Sequence, residues 1–247
     1  MRQISLLSRC LDYPTADLRD NLDSVRDLFA ELPVGETTRA GLQSFVDHIT
    51  GQSLIACQTE YDGLFERGRS VSLHLFEHVH GESRDRGQAM VNLLNEYHEA
   101  GLELSEKELP DYLPLYLEFL ATQGNDNMKA GLQEVAHIIG LVACRLEERG
   151  SPYAPLFHAL LEISEARVPL AELRIQAAEE TPDYTQDALD KEWAEAEVTF
   201  GGDEAPDANC SSSQSRPSEG QRRDQHMPIN MPEPAPRPLS PEPEHRS

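Results

Sequence analysis

Apolar residues recur every three or four positions along most of the stretch from residue 15 to residue 163. That period commits a chain to helices whose apolar stripes must be buried against one another. Thr15 is placed to cap a helix carrying Leu18, Leu22, Val25 and Phe29 and ending at Pro33. Leu42, Phe45, Val46 and Ile49 repeat the pattern, as do Leu54, Cys57, Tyr61 and Phe65. Ser83 is placed to cap a helix with Met90, Leu93, Leu94 and Tyr97, which Gly101 stops. Asp111 is expected to cap one that buries Leu113, Leu117 and Leu120, with Pro114 tolerated in its first turn. The longest stripe, Leu132, Val135, Ile139, Val142 and Leu146, predicts one helix from Met128 to Arg149, and a shorter one follows from Tyr153 to Ile163. No segment joins strict alternation to β-branched enrichment, so no sheet is expected. The predicted class is all-α, a compact multi-helix bundle.

The helical pattern gives way near Phe200. Residues 201–247 hold nine of the 17 prolines, no aromatic residue and eight of the hydrophobic class. Such a segment cannot bury enough surface to offset its ordering entropy, so it is read as a disordered Pro-rich tail beyond a domain of residues 1–200. The tail takes eight acidic and five basic residues out of 44 and 21, which leaves 36 and 16 in the domain. A body with a net charge of -20 argues against nucleic acid as a ligand and favours basic peptides or basic protein surfaces.

Cys10, Cys57, Cys144 and Cys210 form no CxxC pair and no dense disulfide framework, as expected in a reducing cytosol. The opening meets charge at Arg9 and Asp12 before it can supply a signal-peptide core. The longest nearly unbroken apolar run, Ile138 to Cys144, has seven residues, where a bilayer span takes about 20. The expected location is cytoplasmic, without membrane insertion.

Two stretches imitate catalytic motifs. Gly63 to Ser70 has the GxxxxGKS spacing of a phosphate loop with Arg69 in the lysine position, but the preceding segment reads as helix where that loop needs a strand. The plain reading is a Gly-marked turn between helices. His74-Leu75-Phe76-Glu77-His78 fits HxxEH, in which two histidines one helical turn apart bind zinc and the glutamate is general base. The alternative function is therefore a zinc-dependent hydrolase. No recognisable third ligand follows, and the plain reading is the polar stripe of a helix buried through Val71, Leu75, Phe76 and Val79.

Longer stretches carry more information. Phe65 to Ser70, followed by Leu73-His74-Leu75-Phe76-Glu77-His78-Val79-His80-Gly81-Glu82-Ser83-Arg84-Asp85-Arg86-Gly87-Gln88-Ala89-Met90, closely resembles the nitrate reductase delta subunit family of molybdenum cofactor assembly chaperones. Glu108 to Leu120 is similar to that family's ELPDxLPxxLEFL segment, and Leu7 to Pro14 to its LxxxLxYP opening. Trp193 to Gly201 resembles its closing segment. The resemblance spans about positions 4 to 201.

The resemblance implies a non-catalytic, all-helical redox-enzyme maturation chaperone. It implies no permanently held cofactor, but help in inserting the molybdenum bis-guanine dinucleotide cofactor into a client. That client is the nitrate reductase alpha subunit, recognised at its N-terminal segment and at a second site, with cofactor biosynthesis proteins as further candidate partners. An acidic helix bundle suits such a client independently, because an interhelical groove can receive the apolar face of a basic amphipathic helix. The client site is expected around the two central motifs. Tyr61, Phe65, Leu73 and Phe76 would form an apolar wall, and Glu77, His78, His80, Glu108 and Asp111 a polar rim. Arg67, Arg69, Arg84 and Arg86 stand against Glu66, Glu77, Glu82 and Asp85 there, either as a recognition surface or as internal salt bridges.

Overall fold

The computed structural model describes residues 2–80, 83–104 and 108–193. Among them are thirteen helices and no β-strand. In chain order these are α1 (Arg2–Leu11), α2 (Ala16–Asp20), α3 (Leu22–Ala30), α4 (Glu36–Thr50), α5 (Leu54–Phe65), α6 (Glu77–His80) and α7 (Arg84–Glu99). Then follow α8 (Leu113–Thr122), α9 (Asn125–Glu134), α10 (Ala136–Glu148), α11 (Ala154–Ser164), α12 (Leu170–Glu179) and α13 (Gln186–Trp193). The tail expected over 201–247 and its boundary at residue 200 lie outside the described residues.

Helix α11 occupies the centre, packing on α1, α4, α9 and α10. Its sequence explains this position, because Leu156, Phe157, Ala159, Leu160, Leu161 and Ile163 cover more than one face and all are buried. Helix α1 lies against α8, α3 against α4, and α12 closes over α10. Burying one such Leu or Phe side chain is worth about 1.5–3 kcal/mol. Rings of Phe45, Tyr61, Phe65 and Tyr153 interlock in the core, with Tyr153 5.1 Å from both Phe45 and Phe65 in edge-on contact. Cys10, Cys57 and Cys144 are free and buried, and burial pushes the Cys10 thiol up to about 12, so it is inert packing.

Helix ends follow local chemistry in several places. Thr15 caps α2, its hydroxyl accepting from the Leu18 amide at 3.2 Å. Gly101, at φ +78°, ends α7, with the Gly101 and Leu102 amides donating to the carbonyls of His98 and Tyr97. That paired arrangement needs a left-handed residue, hence glycine.

Two expected helices are interrupted. The Met128–Arg149 stripe belongs to α9 and α10, which meet at Val135 (φ −99°, ψ 3°), and the Thr15 helix is split at Asn21. A break one residue long leaves Leu132 and Ile139 buried on one side, so the apolar period passes through it unchanged. Asp111 does not cap α8; Tyr112 holds that position without a side-chain hydrogen bond, and Asp111 is used elsewhere.

Close helix contacts make a differential prediction. A methyl group on Gly41 would meet the rigid Pro155 ring at 2.7 Å, whereas one on Gly63 would meet nothing within 4 Å. Gly63→Ala is expected to stabilise the fold by up to about 1 kcal/mol through helix propensity. Gly41→Ala is expected to lose that gain to overpacking, which costs about 1–3 kcal/mol. Urea unfolding of the two variants checks the opposite signs.

Candidate functional site

The motifs singled out in the sequence converge in space. Ser8 of α1 donates to the Pro114 carbonyl at 2.8 Å, and Tyr61 of α5 donates to the Leu11 carbonyl at 2.9 Å. The Tyr61 and Tyr112 hydroxyls lie 2.9 Å apart, and Tyr112 donates to Asp12 at 3.1 Å. Residues 73–75 run beside 111–113, with the Leu75 amide donating to the Asp111 carbonyl at 2.9 Å and the Leu113 amide to the Leu73 carbonyl at 2.8 Å. Segments up to about 100 positions apart are thus fixed to one another by hydrogen bonds among buried or half-buried groups.

The Asp111 side chain is the knot of this junction. It is fully buried, and its carboxylate accepts from the Phe76 amide at 3.2 Å and from His74 Nδ1 at 3.3 Å, with the Arg86 guanidinium 3.8 Å away. Arg86 also pairs with Glu77 at 3.1 Å. A buried carboxylate persists only when donors and opposite charge surround it. The hydrogen bond to Asp111 holds the His74 imidazole above its ordinary pKa, outweighing burial. His78 goes the other way, because burial disfavours its charged form; its Nε2–H donates to the Ser72 carbonyl at 2.8 Å.

This geometry corrects the zinc reading. Residues 74–76 are not helical, and α6 begins only at Glu77, so one helix face does not present both imidazoles. His74 is engaged by Asp111 and His78 by Ser72. No group of three His, Cys, Asp or Glu side chains among the described residues is arranged to hold a metal ion. The phosphate-loop imitation likewise begins inside a helix, α5, and not after a strand.

Of the residues expected to bind a client, Tyr61, Phe65 and Leu73 are core residues and do not wall an open groove. Asp111 is an internal anchor, not a rim residue. Phe76, Glu77, His78 and His80 are half-buried, and Glu108 is exposed. Of the local charges, Arg86 and Glu77 pair with each other within the molecule.

An open cleft adjoins the junction, outside the site expected from the two central motifs. It encloses about 440 Å³ between α1 and the α2–α3 pair, with Leu6, Leu18, Val25 and Leu28 as apolar wall and Asp12 and Asp17 at the edge. Tyr13 and Leu28 are 42% and 43% exposed, a large apolar surface left without cover. Leu6 and Leu28 lie beside the stripes that build the core, and that second apolar face was the available signal. Asp12 links cleft and junction through the Tyr112 hydrogen bond, and Tyr13 stacks edge-on against Tyr61 at 5.5 Å.

Residues 33–159 match the model of the family described as nitrate reductase delta subunit. This chain belongs to that family. It is 41% identical over 206 residues to the nitrate reductase molybdenum cofactor assembly chaperone NarJ of Escherichia coli (strain K12), covering 82% of this chain and 86% of that one. It is 46% identical over 164 residues to the probable assembly chaperone NarW of the same organism, covering 66% of this chain and 71% of NarW. A probable NarJ of Bacillus subtilis (strain 168) is 34% identical over 162 residues, with 65% and 88% covered. The matched region contains both central segments that meet at Asp111.

The two histidines give the junction a testable pH signature. The raised pKa of His74 makes its contribution complete below the ordinary value of about 6.5, and that contribution is lost as pH rises through the folded value. The lowered pKa of His78 makes its contribution complete above about 6.5 and lost as pH falls through the folded value. Urea unfolding should therefore show His74→Gln more destabilising at pH 5.5 than at pH 8.5, and His78→Gln the reverse. Asp111→Asn, which weakens the acceptor for the half-buried Phe76 amide and removes a buried charge that faces His74 and Arg86, should cost about 1–3 kcal/mol.

Proposed function

We propose that this chain is a non-catalytic chaperone that binds the apo catalytic alpha subunit of a respiratory nitrate reductase in the cytoplasm. It holds that client for insertion of the molybdenum bis-guanine dinucleotide cofactor before membrane assembly. The observation that carries the reading is the 41% identity to NarJ, named a nitrate reductase molybdenum cofactor assembly chaperone, over 86% of that protein's length. No described helix is long and apolar enough to cross a membrane, which accords with a role before membrane assembly.

The same proposal places the client's N-terminal segment, as a basic amphipathic helix, in the cleft between α1 and α2–α3. Leu6, Leu18 and Leu28 would receive its apolar face, while Asp12 and Asp17 meet its cationic residues. The net charge of -20 over residues 1–200 supplies the long-range attraction for such a segment. Phe76, Glu77, His78, His80 and Glu108 form the proposed second contact with the client. Residues 1–200 make up the proposed client-binding domain.

Calorimetry with a synthetic peptide of the alpha subunit's first residues tests this assignment. Binding is expected to weaken as salt rises, since surface charges are screened beyond about 10 Å at 0.1 M. Leu28→Ser, at an exposed site, should weaken it by on the order of tenfold, or about 1.4 kcal/mol, with the circular dichroism of the bundle unchanged. A chain ending at residue 201 should bind like the full chain. Affinity that ignores both salt and Leu28→Ser would remove the client from this cleft.

A further inference from the structure

The loop that imitates a phosphate loop does hold an anion, and the anion is the chain's own. Asp183 Oδ2 accepts from the amides of Arg69 and Ser70, each at 2.7 Å, and Oδ1 from the Ser70 hydroxyl at 2.7 Å. Arg149 donates to the same Oδ1 at 2.9 Å and also to the Ser70 hydroxyl. Gly68, at φ +82°, makes the approach feasible, since a methyl group there would meet the Asp183 carboxyl at 2.8 Å. Next to it, Arg145 grips Glu180 through two parallel bonds of 2.6 Å and donates to the Ser70 carbonyl at 2.7 Å. Arg145 and Arg149 are one helical turn apart, and their side chains are only 15% and 11% exposed. Tyr184 covers the Arg149 guanidinium at 4.2 Å, and a hollow of about 180 Å³ opens between these groups and α12.

Two features distinguish this arrangement from an ordinary surface ion pair. Successive backbone amides turned toward one oxygen make a concavity suited to anions. Two largely buried guanidiniums beside it form a cationic island in a chain of net charge -23, and the carboxylates of Glu180 and Asp183 supply the opposite charge that offsets their desolvation. Both carboxylates that fill it come from residues 180–183, a segment after α12 that includes Pro182 and is not itself helical.

We propose that the Gly68–Ser70 loop with Arg145 and Arg149 is a two-pocket anion site that residues 180–184 occupy as a displaceable strap, and that its exchanging ligand is a small molecule bearing a diphosphate. Two carboxylates in adjacent pockets stand where two phosphate groups would sit. Arg145 offers the planar fork that suits phosphate oxygens, and the Arg69 and Ser70 amides with the Ser70 hydroxyl supply the second cradle. The site is separate from the client cleft, and the inference does not depend on the function proposed above.

The full-length chain and an E180Q/D183N variant are titrated with inorganic pyrophosphate by calorimetry at low salt. The variant, freed of its internal competitors, is expected to bind at least tenfold more tightly than the wild type, and adding R149Q is expected to abolish the gain. Hydrogen exchange on the wild type gives a second readout that needs no variant: pyrophosphate should speed exchange of the amides of Glu180, Thr181, Asp183 and Tyr184 and leave α10 protected. A folded double variant with wild-type pyrophosphate affinity, a gain that survives R149Q, or unchanged exchange across 180–184 at saturating pyrophosphate would each overturn the proposal.

Discussion

The buried Asp111 carboxylate is the interaction on which the described motif junction depends. It lies in the segment before α8, yet its acceptor oxygens serve the Phe76 amide and His74, with Arg86 of α7 close by. Once those donors are satisfied, the pairing of residues 73–75 with 111–113 follows, as the amides of Leu75 and Leu113 complete it. Removing the carboxylate would leave the half-buried Phe76 amide without an acceptor and Arg86 without part of its counter-charge, which is how a single buried group gains structural leverage. Tyr61 and Tyr112 extend the arrangement to Asp12 and the end of α1.

That dependence connects a rigid interior to an open surface. The lip of the α1/α2–α3 cleft, Asp12 and Tyr13, is positioned by Tyr112 and Tyr61 from inside, while Leu28 and Tyr13 remain uncovered outside. A binding surface on a preorganised scaffold loses less conformational entropy on association than one that must first be ordered. Motif residues buried too deeply to touch a partner therefore still shape the surface proposed to receive one.

Most of the helices were legible because a stripe such as Leu42, Phe45, Val46 and Ile49 specifies both helix and buried face. The family was legible from the long central segments. What escaped the sequence was set by partners distant along the chain. Asp111 before an apolar run looks like a cap, and only the fold reveals that Phe76 and His74 claim its oxygens. Tyr61, Phe65 and Leu73 carry the apolar character of a groove wall, and nothing local states that Tyr153 and Tyr13 pack against that cluster. The strap around Asp183 answers a loop 113 positions earlier, a pairing no window of sequence contains.

The most direct measurement of the central claim is complementation in cells that make a respiratory nitrate reductase but lack its own assembly chaperone. With this chain expressed, membrane fractions should regain nitrate reductase activity, and the purified alpha subunit should carry molybdenum cofactor. An alpha subunit that stays cofactor-free and inactive, although the chain is folded, abundant and able to co-purify with it, would contradict the account.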